Sequence, residues 1–172
     1  MSAAATADRA AVEGRGGKYL TFALGAEEYG LEILKVREII GYMEITAVPH
    51  TPAHVRGVIN LRGQVISVVD LRARFGLAAM ERTDETCIIV VEISSEGRRI
   101  CMGIIVDRVS EVLNIAASNI EDAPSFGTNI DTSYILGMGK VGGSVKILLV
   151  IDKILTTEQA AACAAIASGE AA

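Results

Sequence analysis

No tryptophan occurs anywhere in this chain of 172 residues, and there are only 3 phenylalanines and 4 tyrosines. A sheet that grips single-stranded nucleic acid stacks bases on clustered aromatic rings, and the few rings here are scattered along the sequence. Bases are also short: 16 Lys and Arg stand against 21 Asp and Glu, a formal charge of −5. The basic face expected of a nucleic-acid binder is missing from that balance. Cysteine is scarce. Cys87, Cys101 and Cys163 form no close pair, so neither a disulfide framework nor a zinc set is suggested. Cys87 and Cys101 lie in apolar, strand-like runs and read as buried free thiols.

Long hydrophobic runs are absent too. No apolar stretch approaches the ~20 residues of a membrane-spanning helix, and Asp8, Arg9, Glu13 and Arg15 interrupt the region where a secretory signal would be apolar. The chain reads as soluble and cytoplasmic. Catalytic motifs are lacking: no phosphate-cradling GxxxxGK[ST], no GxGxxG opening a helix, no GxSxG elbow. His50 and His54 are broken up by Pro49 and Pro52, with no acid or cysteine beside them, so no metal ligand pair is read there. They read instead as exposed residues where a helix begins. No cofactor, no metal and no enzymatic activity are expected. A hydrolase or transferase assembled from distant residues would betray itself as a deep polar pocket with convergent titratable groups.

What the chain does have is aliphatic bulk. Hydrophobic residues make up 51% of it, rich in the β-branched residues that fit a pleated sheet. Residues 1–17 are Ala- and Gly-rich without a period and read as a disordered tail. From Lys18, Leu20, Phe22 and Leu24 alternate with Tyr19, Thr21 and Ala23, the period of a strand. Further strands are expected at 28–32, 36–42, 57–70 as a hairpin, 87–93, 100–106, 109–115, 134–140 and 145–151. Thr51-Pro52 suggests the start of a short helix. Asp70 reads as the cap of a brief helix that Gly76 stops, and Asp152 as the opening of a last helix through the Ala-rich end. A long polar loop is expected over residues 116–133.

The two halves echo each other. Val36 matches Val109 and Glu38 matches Glu111, each 73 positions on; Gly57 matches Gly137 and Val65 matches Val145, each 80 on. Such duplication of short strands points to a mainly all-β fold, two pseudo-symmetric five-stranded β-barrels of SH3- or OB-like type, since closure removes sheet edges. The first barrel is expected over about 18–82 and the second over about 83–152, with a C-terminal helix and tail over 156–172.

Without catalytic chemistry, surface contact becomes the main candidate. Val36 and Ile39 are apolar on opposite parities of one strand, as are Val109 and Val112. Either the two barrels share a core there, or one side of the strand faces a partner. Arg62 stands in the turn Asn60-Leu61-Arg62-Gly63 between two Val/Ile runs. On its own it reads as a solvated hairpin tip, and Gly63 as the residue that permits the turn.

The segments FALGAEEYGLEILKVREIIGY, TPAHVRGVINLRGQVISVVDLR and GIIVDRVSEVL resemble the CheW-like family of bacterial chemotaxis coupling proteins. The resemblance covers about Lys18 to Leu155, one CheW-like domain, and it rests above all on the GVINLRG…VVDLR block. It implies two barrels packed about a third hydrophobic core, with strands exchanged between them. It also implies a non-enzymatic adaptor, here in its stand-alone form, that couples methyl-accepting chemoreceptors to the histidine kinase CheA and is recruited to membrane-associated arrays. The implied partners are the regulatory CheW-like domain of CheA, the cytoplasmic tip of a chemoreceptor, and other copies of the family in array rings. No nucleic acid and no membrane insertion are implied. Carried over residue by residue, the receptor groove comprises Leu20, Ile33, Val36, Ile39 and Val109, with Glu38 and Arg62 as its polar members, and Phe126 contacts the kinase or array. Gly57, Gly63 and Asp70 are structural, at turns or caps. The rival from another class is a small β-barrel module for nucleic acid.

Overall fold

Valine and isoleucine set the architecture, because most strands are apolar on both faces and must be covered on both. The computed structural model describes residues 15–95, 97–124 and 133–155. Its strands are β1 (Gly17–Leu24), β2 (Glu27–Glu32), β3 (Val36–Gly41), β4 (Val55–Leu61), β5 (Gln64–Asp70), β6 (Cys87–Ser95), β7 (Arg98–Val106), β8 (Arg108–Ile115), β9 (Ile120–Glu121), β10 (Ile135–Val141) and β11 (Ser144–Leu149). They form a six-stranded sheet, β8-β1-β2-β11-β10-β9, and a five-stranded sheet, β3-β6-β7-β5-β4.

The duplication is visible strand by strand. In each sheet an edge strand pairs with an antiparallel hairpin, which then pairs in parallel with a second hairpin: β8, β1–β2, β11–β10 in one, and β3, β6–β7, β5–β4 in the other. The halves have traded their first hairpins, since β1–β2 lies beside β11 and β6–β7 beside β5. A linear boundary near residue 82 therefore separates the halves of the sequence but not the sheets.

Alternation along the strands explains the three cores. Ile88 and Val90 face a small cluster with Ile59, Ile66 and Val68 inside the five-stranded sheet. Ile89 and Val91 face the large central cluster shared by both sheets. In the six-stranded sheet Tyr19 and Leu148 point to a third small cluster with Ile115 and Ile120, while Leu20, Phe22 and Leu149 point to the centre. The aromatic residues, scattered in sequence, are partly gathered in space. Phe22, Tyr29, Phe75 and Tyr134 stack in series with centroids 5.9, 5.6 and 5.6 Å apart. Their faces are occupied by one another against the central cluster rather than offered to bases.

Asp70 caps the Leu71–Arg74 helix, its carboxylate accepting from the Arg72 N–H at 3.0 Å. Asp152 departs from expectation. The Ile151–Ile154 turn has Val150 at its N-cap with no side-chain bond, and Asp152 instead accepts from Lys35 Nζ at 2.8 Å and the Ser94 N–H at 3.3 Å. The equivalent residue of the first half is Arg72, whose Nε lies 3.2 Å from Asp107 Oδ1, while Asp107 Oδ2 accepts from the Gly25 N–H at 2.7 Å. Each half thus ties its terminal helical turn to the crossover between sheets by an ion pair, with the charges reversed. The Arg72–Asp107 pair is the more deeply buried, at 15% and 14% side-chain exposure. Losing a partner leaves the other charge without compensation there. Arg72→Ala is expected to cost about 1.5 kcal/mol in a chemical melt and Lys35→Ala about 0.5 kcal/mol; equal costs would contradict this ranking.

No helix forms after Thr51. Its hydroxyl donates to the Val48 carbonyl at 3.0 Å and the chain turns directly into β4, with Val55 N–H bonded to Pro52 O at 3.0 Å. His50 and His54 accordingly lie in a turn. Within the expected loop 116–133, Ala117–Asn119 forms a 3-10 turn and β9 follows it. Cys87 and Cys101 are free thiols but only partly buried. Phe126, Cys163 and the segment 156–172 lie outside the described residues.

Candidate functional site

Both edge strands carry a β-bulge at the same place, and it resolves the puzzle of parity. In β3, Val36 opposes Val91 and Glu38 opposes Val90, so Arg37 is the extra residue. A bulge reverses the side to which subsequent residues point. Val36 and Ile39 therefore share one side, that of Val91 and Ile89 in the central cluster, although their spacing in a regular strand would separate them. In β8, Val109 opposes Phe22 and Val112 opposes Leu20, again with one extra residue between. Val109 and Val112 share the central side as well.

Val36 and Val109 pack against the central cluster half-buried, and Ile33, in the 3-10 turn before β3, does the same. Ile39 stays 45% exposed. Val112, its equivalent 73 positions on, is exposed too; its sequence pattern matches that of Ile39, although the family resemblance does not carry it into the groove. Cys87 joins the two strips, pairing with Gly41 of β3 while its thiol meets the Val109 backbone. Burial pushes that thiol up in pKa, against an opposing backbone hydrogen bond. Leu20 is only 2% exposed. It lies beneath the strip as part of the core and offers a partner almost no surface.

Arg62 and Glu38 meet. Arg62 Nη1 donates to Glu38 Oε2 at 3.1 Å and Nη2 donates to Oε1, a fork-to-fork pair. Glu38 opposes Val90, on the far side of β3 from Val36 and Ile39. The polar pair and the apolar strip thus flank the same edge strand. The Arg62 hydrogen bonds hold the Glu38 carboxyl below its usual 4.5, and the carboxylate in turn raises Arg62. The folded value of Glu38 is depressed, so pairing persists above the ordinary carboxylate range and is lost as pH falls through the lowered value. Arg62→Ala should move the Glu38 titration, followed by carboxyl-carbon NMR, up towards 4.5; an unmoved midpoint would show that the pair does not form in solution.

The backbone at Arg62 is unusual. Leu61 pairs with Gln64, and the two residues between them, Arg62 and Gly63, have φ of 51° and 85°. Both central positions are left-handed, as a tight two-residue hairpin of this twist requires. That conformation costs an L-residue roughly 1 kcal/mol and glycine almost nothing. The equivalent hairpin of the second half, between Val141 and Ser144, uses Gly142 and Gly143 at φ of 54° and 83°. At the matching position the first half carries a left-handed arginine whose side chain is 72% exposed.

Gly57 is neither a turn nor a cap. It lies inside β4 at a register shift, with φ of 142°, where Thr46 crosses and exchanges two hydrogen bonds of 2.9 Å with Val58. Gly137 occupies the matching register shift in β10, where a Cβ would come within 2.6 Å of Ile120 in β9.

A polar depression among the described residues is lined by Tyr42, Arg56, Asp70, Arg72, Glu81, Arg82 and Asp107. Most of its charged side chains engage one another or a ring: Arg56 with Asp70 at 2.7 Å, Arg72 with Asp107, and Arg82 over the Tyr42 ring at 4.6 Å. Among the described residues no cluster of three metal-ligating side chains occurs, and no helix is long and apolar enough to cross a membrane.

The family model for the CheW-like domain matches residues 18–159. The chemotaxis protein CheW of Klebsiella aerogenes is 40% identical over 161 residues, covering 94% of this chain and 95% of the relative. That of Rhizobium meliloti is 35% identical over 144 residues, covering 84% and 90%. The crystal structure of the scaffolding protein TtCheW from Thermoanaerobacter tengcongensis superposes with a TM-score of 0.72 at 36% identity, covering 84% of this chain and 95% of that one.

Proposed function

The chain belongs to the CheW-like domain family, and on that premise we propose that it is a chemotaxis adaptor that works by contact and not by turnover. Its partners on this reading are the cytoplasmic tip of a chemoreceptor and the regulatory CheW-like domain of the kinase CheA, and it joins membrane-associated arrays through them. Similarity to proteins named for chemotaxis and scaffolding supports the role.

The observation that carries the site is the strained Arg62. A left-handed arginine in one hairpin, where the duplicated hairpin has glycine, keeps an exposed guanidinium beside an exposed apolar strip. An amphipathic receptor helix laid along the β3 edge would meet Ile39 on one side and the Arg62–Glu38 pair on the other, a helix-on-groove mode. Signalling then requires only that two receptor states contact this edge differently, since equal affinity for both shifts nothing. Co-sedimentation of the chain with a receptor cytoplasmic fragment and the kinase regulatory domain tests the reading. A ternary complex is expected; failure to bind the receptor fragment would overturn it.

A further inference from the structure

The Arg62 hairpin contains a device that the duplicated hairpin lacks. Asn60 Oδ1 accepts a hydrogen bond from the Gly63 N–H at 2.8 Å, across the left-handed residue itself. The equivalent of Asn60 in the second hairpin is Lys140, which turns outward to Glu121 at 2.7 Å, and there Ser144 Oγ donates to the Val141 carbonyl at 2.9 Å. Two glycines need no such support, because either can adopt positive φ without steric cost. Arginine does need it. Left alone, Arg62 would favour conformations that swing its side chain away from Glu38, and the tip would sample several states.

We infer that Asn60 is a positioning residue for receptor docking: its side chain locks Gly63 and thereby holds Arg62 left-handed, so that the guanidinium is presented on Glu38 before a partner arrives. The inference rests on the proposed role of Arg62 at the receptor-facing edge. Asn60 is exposed and contributes little to the core, so its effect is on the population of the competent tip. Apparent affinity falls in proportion to that population. The loss of one such hydrogen bond is expected to weaken binding about fivefold.

The test is a double-mutant cycle with a soluble chemoreceptor cytoplasmic fragment as the probe, read as Kd by calorimetry and accompanied by thermal melts. Asn60→Ala should weaken binding in the wild-type background with a nearly unchanged melt. It should have no effect in the Arg62→Ala background, and Asn60→Asp, which keeps the acceptor oxygen, should restore binding. If Arg62→Ala weakens binding but Asn60→Ala does not, the inference is overturned while the role of Arg62 stands. Equal weakening by Asn60→Ala in both backgrounds also overturns it, because Asn60 would then act on the hairpin in general. If Arg62→Ala binds as the wild type, the reading of the docking edge itself fails.

Discussion

Gly57→Ala is expected to unfold much of the population at temperatures where the wild type is intact. A Cβ at Gly57 would sit 2.0 Å from the Thr46 carbonyl oxygen and 2.7 Å from its carbon. The obstacle is backbone, which cannot rotate away as a side-chain tip can. Thr46 is itself tied to Val58 by two hydrogen bonds, so moving it breaks the bridge that brings Met43 and Ile45 onto the cluster within the five-stranded sheet. The φ of 142° adds a conformational penalty that any L-residue would incur. Strain and overpacking together cost about 3–5 kcal/mol, a large share of the stability of an ordinary domain. The melting temperature should fall by about 10 °C or more. A variant that melts within about 2 °C of the wild type would show that Thr46 does not cross β4 as described.

Ile39→Asp should behave oppositely, leaving the fold and removing the interaction. The side chain is 45% exposed on the central side of β3, so a carboxylate there can remain hydrated. It would replace the most exposed apolar side chain of β3 with a charge a docking helix must desolvate. Loss of a central anchor at an interface typically costs about 2 kcal/mol or more, so receptor-fragment binding should weaken about 30-fold or more. Val36→Asp is the less clean probe. Val36 packs half-buried on the central cluster, and a carboxylate there would weaken binding and stability together. If Ile39→Asp binds normally, the β3 edge is not the docking surface.

Much of this was legible in the sequence because β-structure repeats visibly. The offsets of 73 and 80 residues located the equivalent edge strands and hairpins, and the alternation in β1 set Leu20, Phe22 and Leu24 on one face, the one that meets the central cluster. The hidden parts were those that depend on pairing. A bulge is a property of two strands, so the apparent conflict between Val36 and Ile39 had no solution from β3 alone. Asp152 looked like a cap because Asp70 is one, yet its partner Lys35 lies 117 residues away. Leu20 matched the family's groove by position, but its side chain is turned into the core by its pairing with Leu31 and Val112. The exchange of hairpins between the sheets likewise leaves no trace in strand order. Arg62 and Glu38, by contrast, which the family resemblance gives as the polar members of the groove, are joined by a bidentate bond.

The central claim is that the chain keeps a strained backbone at Arg62 for the sake of its side chain. Arg62→Gly tests it most directly, since glycine relieves the left-handed strain and removes the guanidinium in one step. The account predicts a melting temperature equal to or slightly above the wild type, together with binding to a receptor cytoplasmic fragment weakened about tenfold or more, the scale of a lost charge-assisted contact. Wild-type affinity in a variant that melts no lower would contradict it, for the arginine would then be dispensable to docking.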